Sequence, residues 1–171
     1  MKAAYARAME ALYILCALIS GLCIVTMTVV IPWGVFTRYV LNSASSWPEP
    51  LSILLVIVFT FFAAAACYRG NVHIAVAMVV DRLPPGGRLA ANVARDALMA
   101  LLSLFAIFWG ITLVEATWLN TIAEFPWLSV GITYLPIPIG GVITLLFVIE
   151  RVWIGPPGKD SFIHREPVSA D

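Results

Sequence analysis

Residues 43–74 read SASSWPEPLSILLVIVFTFFAAAACYRGNVHI. From Pro50 to Tyr68 there is no Asp, Glu, Lys or Arg; Glu49 and Arg69 close the run on either side. As a helix this run would be about 28 Å long, close to the roughly 30 Å hydrocarbon core of a bilayer. Lipid cannot satisfy backbone N–H and C=O groups, so such a run is expected to be helical. Three more charge-free windows follow the same rule, at 11–37, 97–114 and 125–149, the second of these only just long enough. The chain therefore reads as an all-α integral membrane protein with four transmembrane helices. The expected spans are about 11–36, 50–68, 97–118 and 127–149, within a single domain over residues 1–154. Residues 155–171 are polar and rich in proline, and are expected to form a disordered cytoplasmic tail.

Composition agrees with this reading. The 171 residues are 61% apolar and 12% charged, against about 25% charged in a soluble globular domain. The first window is far longer than the ~7–15 apolar residues of a secretory signal, so a retained first span is expected. Net charge is zero, but nine of the ten basic residues lie in the N-terminal segment, between spans two and three, or in the C-terminal segment. Only Arg38 lies in the other two loops. This positive-inside bias predicts that both termini and the middle loop are cytoplasmic. Trp33, Tyr39, Trp47, Tyr68, Trp118, Trp127 and Trp153 fall near span ends, as an interfacial aromatic belt does. Cys16, Cys23 and Cys67 lie inside spans and read as small packing residues without a disulfide.

Local signals add detail. Residues 1–10 favour helix, and Tyr5, Met9 and Tyr13 would let them lie along the inner interface before the chain turns inward. Pro32 is expected to kink the first span or end its regular part. The charge-free run 70–80 is too short to cross a bilayer and reads as an interfacial helix on the cytoplasmic side, stopped by Pro84-Pro85-Gly86-Gly87. Pro136, Pro138, Gly140 and Gly141 place helix-breaking residues in the fourth span, where neighbouring helices would have to re-satisfy the backbone. The small residues Ala63 to Ala66 should face another helix rather than lipid. In Trp47-Pro48-Glu49-Pro50, each proline disfavours helix at the residue before it. Pro50 then fits the first helical position, with Glu49 as the cap at the positive helix end.

Several classes of chemistry are excluded. His73 and His164 are the only histidines, so paired haem ligands, a zinc cluster and a Ser/His/Asp set cannot be assembled. No phosphate-binding G-x-x-x-x-G-K-[ST] occurs. Every ionisable residue near a span sits at a span end, so none marks an ion or substrate path at mid-membrane. The chain therefore reads as a scaffold or accessory subunit. The alternatives are a small four-span membrane enzyme or quinone-linked redox subunit, disfavoured by the missing haem ligands, and a small self-associating exporter, disfavoured by the missing acid in span one.

The order Arg38, Trp47-x-Glu49, the alanine patch, Arg69-Gly70-x-x-His73-Ile74-x-Val76 and Asp81-Arg82-Leu83-Pro84 resembles the small membrane subunit of tripartite ATP-independent periplasmic (TRAP) transporters. The later TIAEFPWLSVGITYLPIPIGG is similar to that family's outer loop and fourth span. The resemblance covers roughly residues 10–150. One departure is plain: family members often carry two consecutive acids after the tryptophan, and Pro50 replaces the second here. The resemblance implies a subunit in the bacterial inner membrane that supports a large, elevator-type membrane subunit. A periplasmic binding protein would deliver a small organic acid, and import would be coupled to Na⁺ bound by the large subunit. No cofactor and no nucleic acid are implied. Arg38, Trp47 and Glu49 are the candidates for outer-face pairing or contact with the binding protein. Arg69 and His73 are candidates for anchoring at the inner interface, with Arg69 reaching lipid phosphates. Ala63, Ala64 and Ala66 are candidates for helix packing with a partner.

Overall fold

A computed structural model describes residues 2–43, 45–70 and 84–155. Helix α1 spans Lys2–Tyr39, α2 Pro48–Gly70 and α3 Pro85–Thr117. A short antiparallel ribbon, β1 Thr121–Ile122 and β2 Phe125–Ser129, leads into α4 Val130–Tyr134 and α5 Pro136–Trp153. Four segments are long and apolar enough to cross a membrane: Ala4–Tyr39, Pro48–Gly70, Gly86–Thr117 and Val130–Trp153. The expected interfacial helix at 70–80, and His73 within it, lie outside the described residues.

The four long helices alternate in direction, so residues 2 and 155 share one end, here called proximal. The turn after α1 and the β ribbon share the opposite, distal end. Packing is sequential in space rather than in sequence: α1 lies on α2, α2 on α5, and α5 on α3. The core sits in the proximal half, where Met9 and Cys16 of α1 meet Ala65 and Tyr68 of α2 and Ile143, Phe147 and Val148 of α5. Large apolar side chains such as Leu18, Leu22, Leu101, Phe105 and Phe108 remain exposed, as they would against lipid.

Helix α1 corrects one expectation. Residues 2–10 do not turn along an interface; they continue the helix, because nothing in that segment breaks it and its apolar face has a partner. Met9, Cys16, Cys23, Val30 and Thr37 are all buried, at intervals of seven. That period keeps one stripe of a long helix against its neighbour. Tyr5 joins the same face, its hydroxyl donating to the Leu146 carbonyl at 3.1 Å and its ring meeting Trp153 edge-on. The helix also runs through Pro32 to Tyr39. It stops where Asn42 takes a left-handed conformation, φ 49°, which asparagine tolerates better than most residues. The Ser43 amide then bonds back to the Thr37 carbonyl at 3.1 Å.

Pro32 apart, the prolines of the helices stand in first turns. Helix α2 begins at Pro48, two residues before the expected start, and the first return bond runs from the Leu51 N–H to the Trp47 carbonyl at 3.1 Å. In α5 the Ile139 N–H bonds to the Leu135 carbonyl at 3.2 Å. Pro48-x-Pro50 and Pro136-x-Pro138 therefore occupy the same first and third helical positions, where the backbone N–H has no intrahelical partner to lose. Pro84-Pro85 likewise opens α3, with the Arg88 N–H bonded to the Pro84 carbonyl at 3.0 Å.

Helix α5 lies between two neighbours, and adjacent glycines make room for both. A Cβ on Gly140 would come within 2.7 Å of Phe61 Cβ in α2; one on Gly141 would come within 3.0 Å of the Ser103 carbonyl in α3. Gly21 on α1 faces open space. The substitution Gly140→Val is therefore expected to destabilise the bundle by about 1–3 kcal/mol through overpacking. Gly21→Ala should be neutral or stabilising by up to about 1 kcal/mol. Thermal unfolding of the detergent-solubilised chain checks both, and equal melting temperatures for the two variants would contradict this packing.

Candidate functional site

Arg69, the first charge after the second span, turns into the protein. It is 5% exposed, so it does not reach outward to lipid phosphates as expected. Its Nε and one terminal nitrogen grip both carboxylate oxygens of Glu150 at 2.8 and 3.0 Å, and its other terminal nitrogen reaches Glu10 at 2.7 Å. The guanidinium also lies over the rings of Tyr13 and Phe147, at 5.5 and 5.7 Å from their centres. A planar fork matches a carboxylate with two parallel bonds, and its faces stack on aromatic rings, which lysine cannot do.

A second node sits beside the first. Tyr68, next to Arg69, donates its hydroxyl to Asp96 at 3.0 Å. Arg95 bonds the same oxygen at 2.9–3.0 Å, and Arg151, next to Glu150, approaches it at 3.6 Å and covers the Tyr68 ring. Two pairs of consecutive residues, Tyr68-Arg69 on α2 and Glu150-Arg151 on α5, thus reach to opposite sides. One side engages Glu10 of α1, the other Asp96 of α3. In these contacts three carboxylates, Glu10, Asp96 and Glu150, meet three guanidiniums, Arg69, Arg95 and Arg151. Every long helix contributes to it, and every contribution comes from the proximal end.

Glu10, Asp96, Glu150 and Arg151 were visible in the sequence as span-end charges, but no role followed for them. The signal was there. The charge-free windows 11–37, 50–68, 97–114 and 125–149 are bounded at their proximal edges by Glu10, Arg69, Asp96 and Glu150. Four helices of alternating direction bring those four residues to one level.

The alanine patch is divided between two environments. Ala65 is fully buried in the core, Ala66 packs against it, and Ala64 is exposed. Part of the patch therefore serves packing within this chain, and Ala64 is the member left for a partner or lipid.

At the distal end Arg38 and Glu49 are both exposed, and no ion pair joins them. They line the same groove of about 590 Å³ between α1 and α2. Below them the two helices touch: a Cβ on Gly34 would come within 3.0 Å of Pro48 Cβ. Pro48 is buried by this contact, which gives the Trp-Pro-Glu-Pro motif a packing role as well as a helix start. Trp47, which precedes Pro48, is exposed and does not line the groove. Further along the distal surface, Leu119 and Trp127 flank and top the β ribbon at 92% and 79% exposure. Ser129 ties this ribbon down: its hydroxyl donates to the Trp118 carbonyl and accepts from the Gly131 N–H.

Among the described residues no group of His, Cys, Asp or Glu has the arrangement to hold a metal ion. Among the described residues the buried charges, Arg69 and Glu150, are paired with each other. Fold and charge network together define a multi-pass membrane protein whose long helices are tied together at one end. Residues 27–155 match the family described as Tripartite ATP-independent periplasmic transporters, DctQ component, and the chain belongs to that family. It is similar to a TRAP transporter small permease protein of Haemophilus influenzae, with 31% identity over 143 residues that cover 84% of this chain and 86% of the relative. It is also similar to SiaQ of Vibrio cholerae, a sialic acid TRAP transporter small permease protein, with 25% identity over 126 residues and 72% and 71% coverage. The chain is thus a small permease subunit of a transporter and not an enzyme.

The Arg69 clamp gives a graded prediction. Arg69→Ala leaves two carboxylates without their buried partner and should cost about 3–5 kcal/mol. Glu10→Ala, at the more exposed branch, should cost less, about 1–3 kcal/mol. Replacing all three charges by neutral groups of similar size (Glu10→Gln, Arg69→Met, Glu150→Gln) should recover much of the Arg69→Ala loss. Unfolding titrations in detergent check this order; an Arg69→Ala variant as stable as the parent would contradict the clamp.

Proposed function

We propose that this chain is the static, scaffold-side subunit of a sodium-coupled importer in the bacterial inner membrane. It would support a large elevator-type subunit that carries both the substrate and Na⁺. A periplasmic binding protein would deliver a small organic acid to that pair. The observation that carries the reading is the placement of charge. The charge-free windows of the spans hold no acid or base, and Glu10, Arg69, Arg95, Asp96, Glu150 and Arg151 engage one another at the proximal end. A chain with no polar path through the bilayer is suited to support transport, not to conduct it. The family supports the two kinds of partner, and a relative named for sialic acid supports an acidic substrate.

In this reading the proximal end, with both termini, is cytoplasmic, as the distribution of basic residues favours. The distal surface is periplasmic, and Arg38, Trp47 and Glu49 belong to the rim that the binding protein meets. His73 is assigned to the cytoplasmic interface, and Ala64, with its neighbours Ala63 and Ala66, to the approach of a partner helix.

Two measurements test the proposal. Single cysteines at Asn42 and at Gly155, in a background without native cysteines, should react oppositely with a membrane-impermeant thiol reagent in whole cells: Asn42→Cys labelled, Gly155→Cys protected. In cells co-expressing the large subunit and the binding protein, Arg38→Ala and Glu49→Ala should each lower substrate uptake several-fold, while the large subunit still co-purifies. Normal uptake in both variants would remove the rim from the proposal. A chain that always purifies without the large subunit would overturn the scaffold reading itself.

A further inference from the structure

We propose that the distal groove between α1 and α2 holds one phospholipid whose headgroup carries a phosphate and a primary ammonium, the phosphatidylethanolamine class. This goes beyond the transport reading and stands whatever the transported substrate is. The groove has the polarity gradient of such a lipid. At its mouth, Arg38 and Glu49 offer one positive and one negative charge, exposed and not paired with each other. Below them the walls are apolar, with Ile31 and Val35 from α1 and Ile53 and Val56 from α2. From Glu49 to Val56 the helix descends about 10 Å, enough to hold the upper part of an acyl chain. Gly34 and Pro48, where α1 and α2 approach each other, belong to the lining of the same groove.

Charge complementarity selects the class. The Arg38 guanidinium can donate two bonds to a phosphate, and the Glu49 carboxylate accepts charge-assisted bonds from an N–H-bearing ammonium. An anionic glycerol headgroup would leave Glu49 unmatched beside another negative group. A choline headgroup has no N–H to give. A headgroup spanning the two residues would join the outer ends of α1 and α2, which have no direct ion pair there.

The test uses the chain co-expressed with its large subunit and purified in mild detergent. After equilibration with vesicles containing equal parts of phosphatidylethanolamine, phosphatidylcholine and phosphatidylglycerol, native mass spectrometry reads the retained lipid. Phosphatidylethanolamine should be retained preferentially. Arg38→Gln and Glu49→Gln should each lower its retention about tenfold, as expected for the loss of one charge-assisted hydrogen bond. Arg38→Lys should keep most of it. Val35→Trp, which fills the groove without touching the charges, should abolish it while the complex still forms. The proposal is overturned if the three lipids are retained equally, if the Gln variants retain as much as the parent, or if a photo-crosslinker at Val56 captures the large subunit in place of lipid. Lipid retention is read on this chain's own mass, so loss of the large subunit during purification would count against the scaffold reading and not against the lipid site.

Discussion

A guanidinium taken out of water must have its charge and its donors answered, and Arg69 is answered on every side. Two carboxylates take the edge of the fork and two aromatic rings cover its faces. The desolvation cost of such a group is offset only when its geometry is complete. Completion here requires α1, α2 and α5 to arrive at one level with fixed rotation. A slide of α1 by one turn would carry Glu10 about 5 Å away and leave Arg69 and Glu150 in a bare pair with one arm unfilled. The adjacent Asp96 node adds α3 to the same constraint. Hydrophobic matching alone would not set this register, because lipid tails are as apolar as the helices they contact.

The rest of the bundle is arranged around that fixed end. Phe147, nearly fully buried, is at once a core residue and a lid on Arg69. Tyr68 closes the core and reaches Asp96. Helix α5 can touch α2 and α3 together only because Gly140 and Gly141 have no side chains. At the distal end helices α1 and α2 approach each other at Gly34 and Pro48, and the groove between them runs along Ile31, Ile53 and Ile57. The charge network thus ties the proximal end, while Arg38 and Glu49 stand exposed at the distal one.

Much of this was legible in the sequence. Charge-free windows of 18 or more residues gave the four spans, and the Glu49–Arg69 interval gave the second almost to the residue. The charge bias placed Glu10, Arg69, Asp96 and Glu150 on one side of the membrane. What it could not give was pairing. Which acid meets which arginine depends on helix rotation, and the apolar residues of a membrane helix are spread all round it, so no single face stands out. The seven-residue stripe from Met9 to Thr37 was concealed for the same reason, since Cys, Val and Thr do not contrast with their neighbours. The prolines were misjudged by one turn: a Pro-x-Pro near an apolar run breaks a helix in its middle but fits its first turn, and only the carbonyl of Trp47 or Leu135 tells the two apart.

The replacement at position 50 gains meaning from that first turn. The TRAP small subunits that this sequence resembles often carry a second acid there. Position 50 is the third residue of α2, beside the positive end of the helix. An acid at that place would add a second negative charge near the groove mouth, against the single positive charge of Arg38. Proline adds none, and it occupies a place where the missing N–H has no partner to lose. With Pro50 the mouth carries one charge of each sign, Arg38 and Glu49. Proline at this place thus leaves the helix start intact and the charge at this helix end to Glu49 alone.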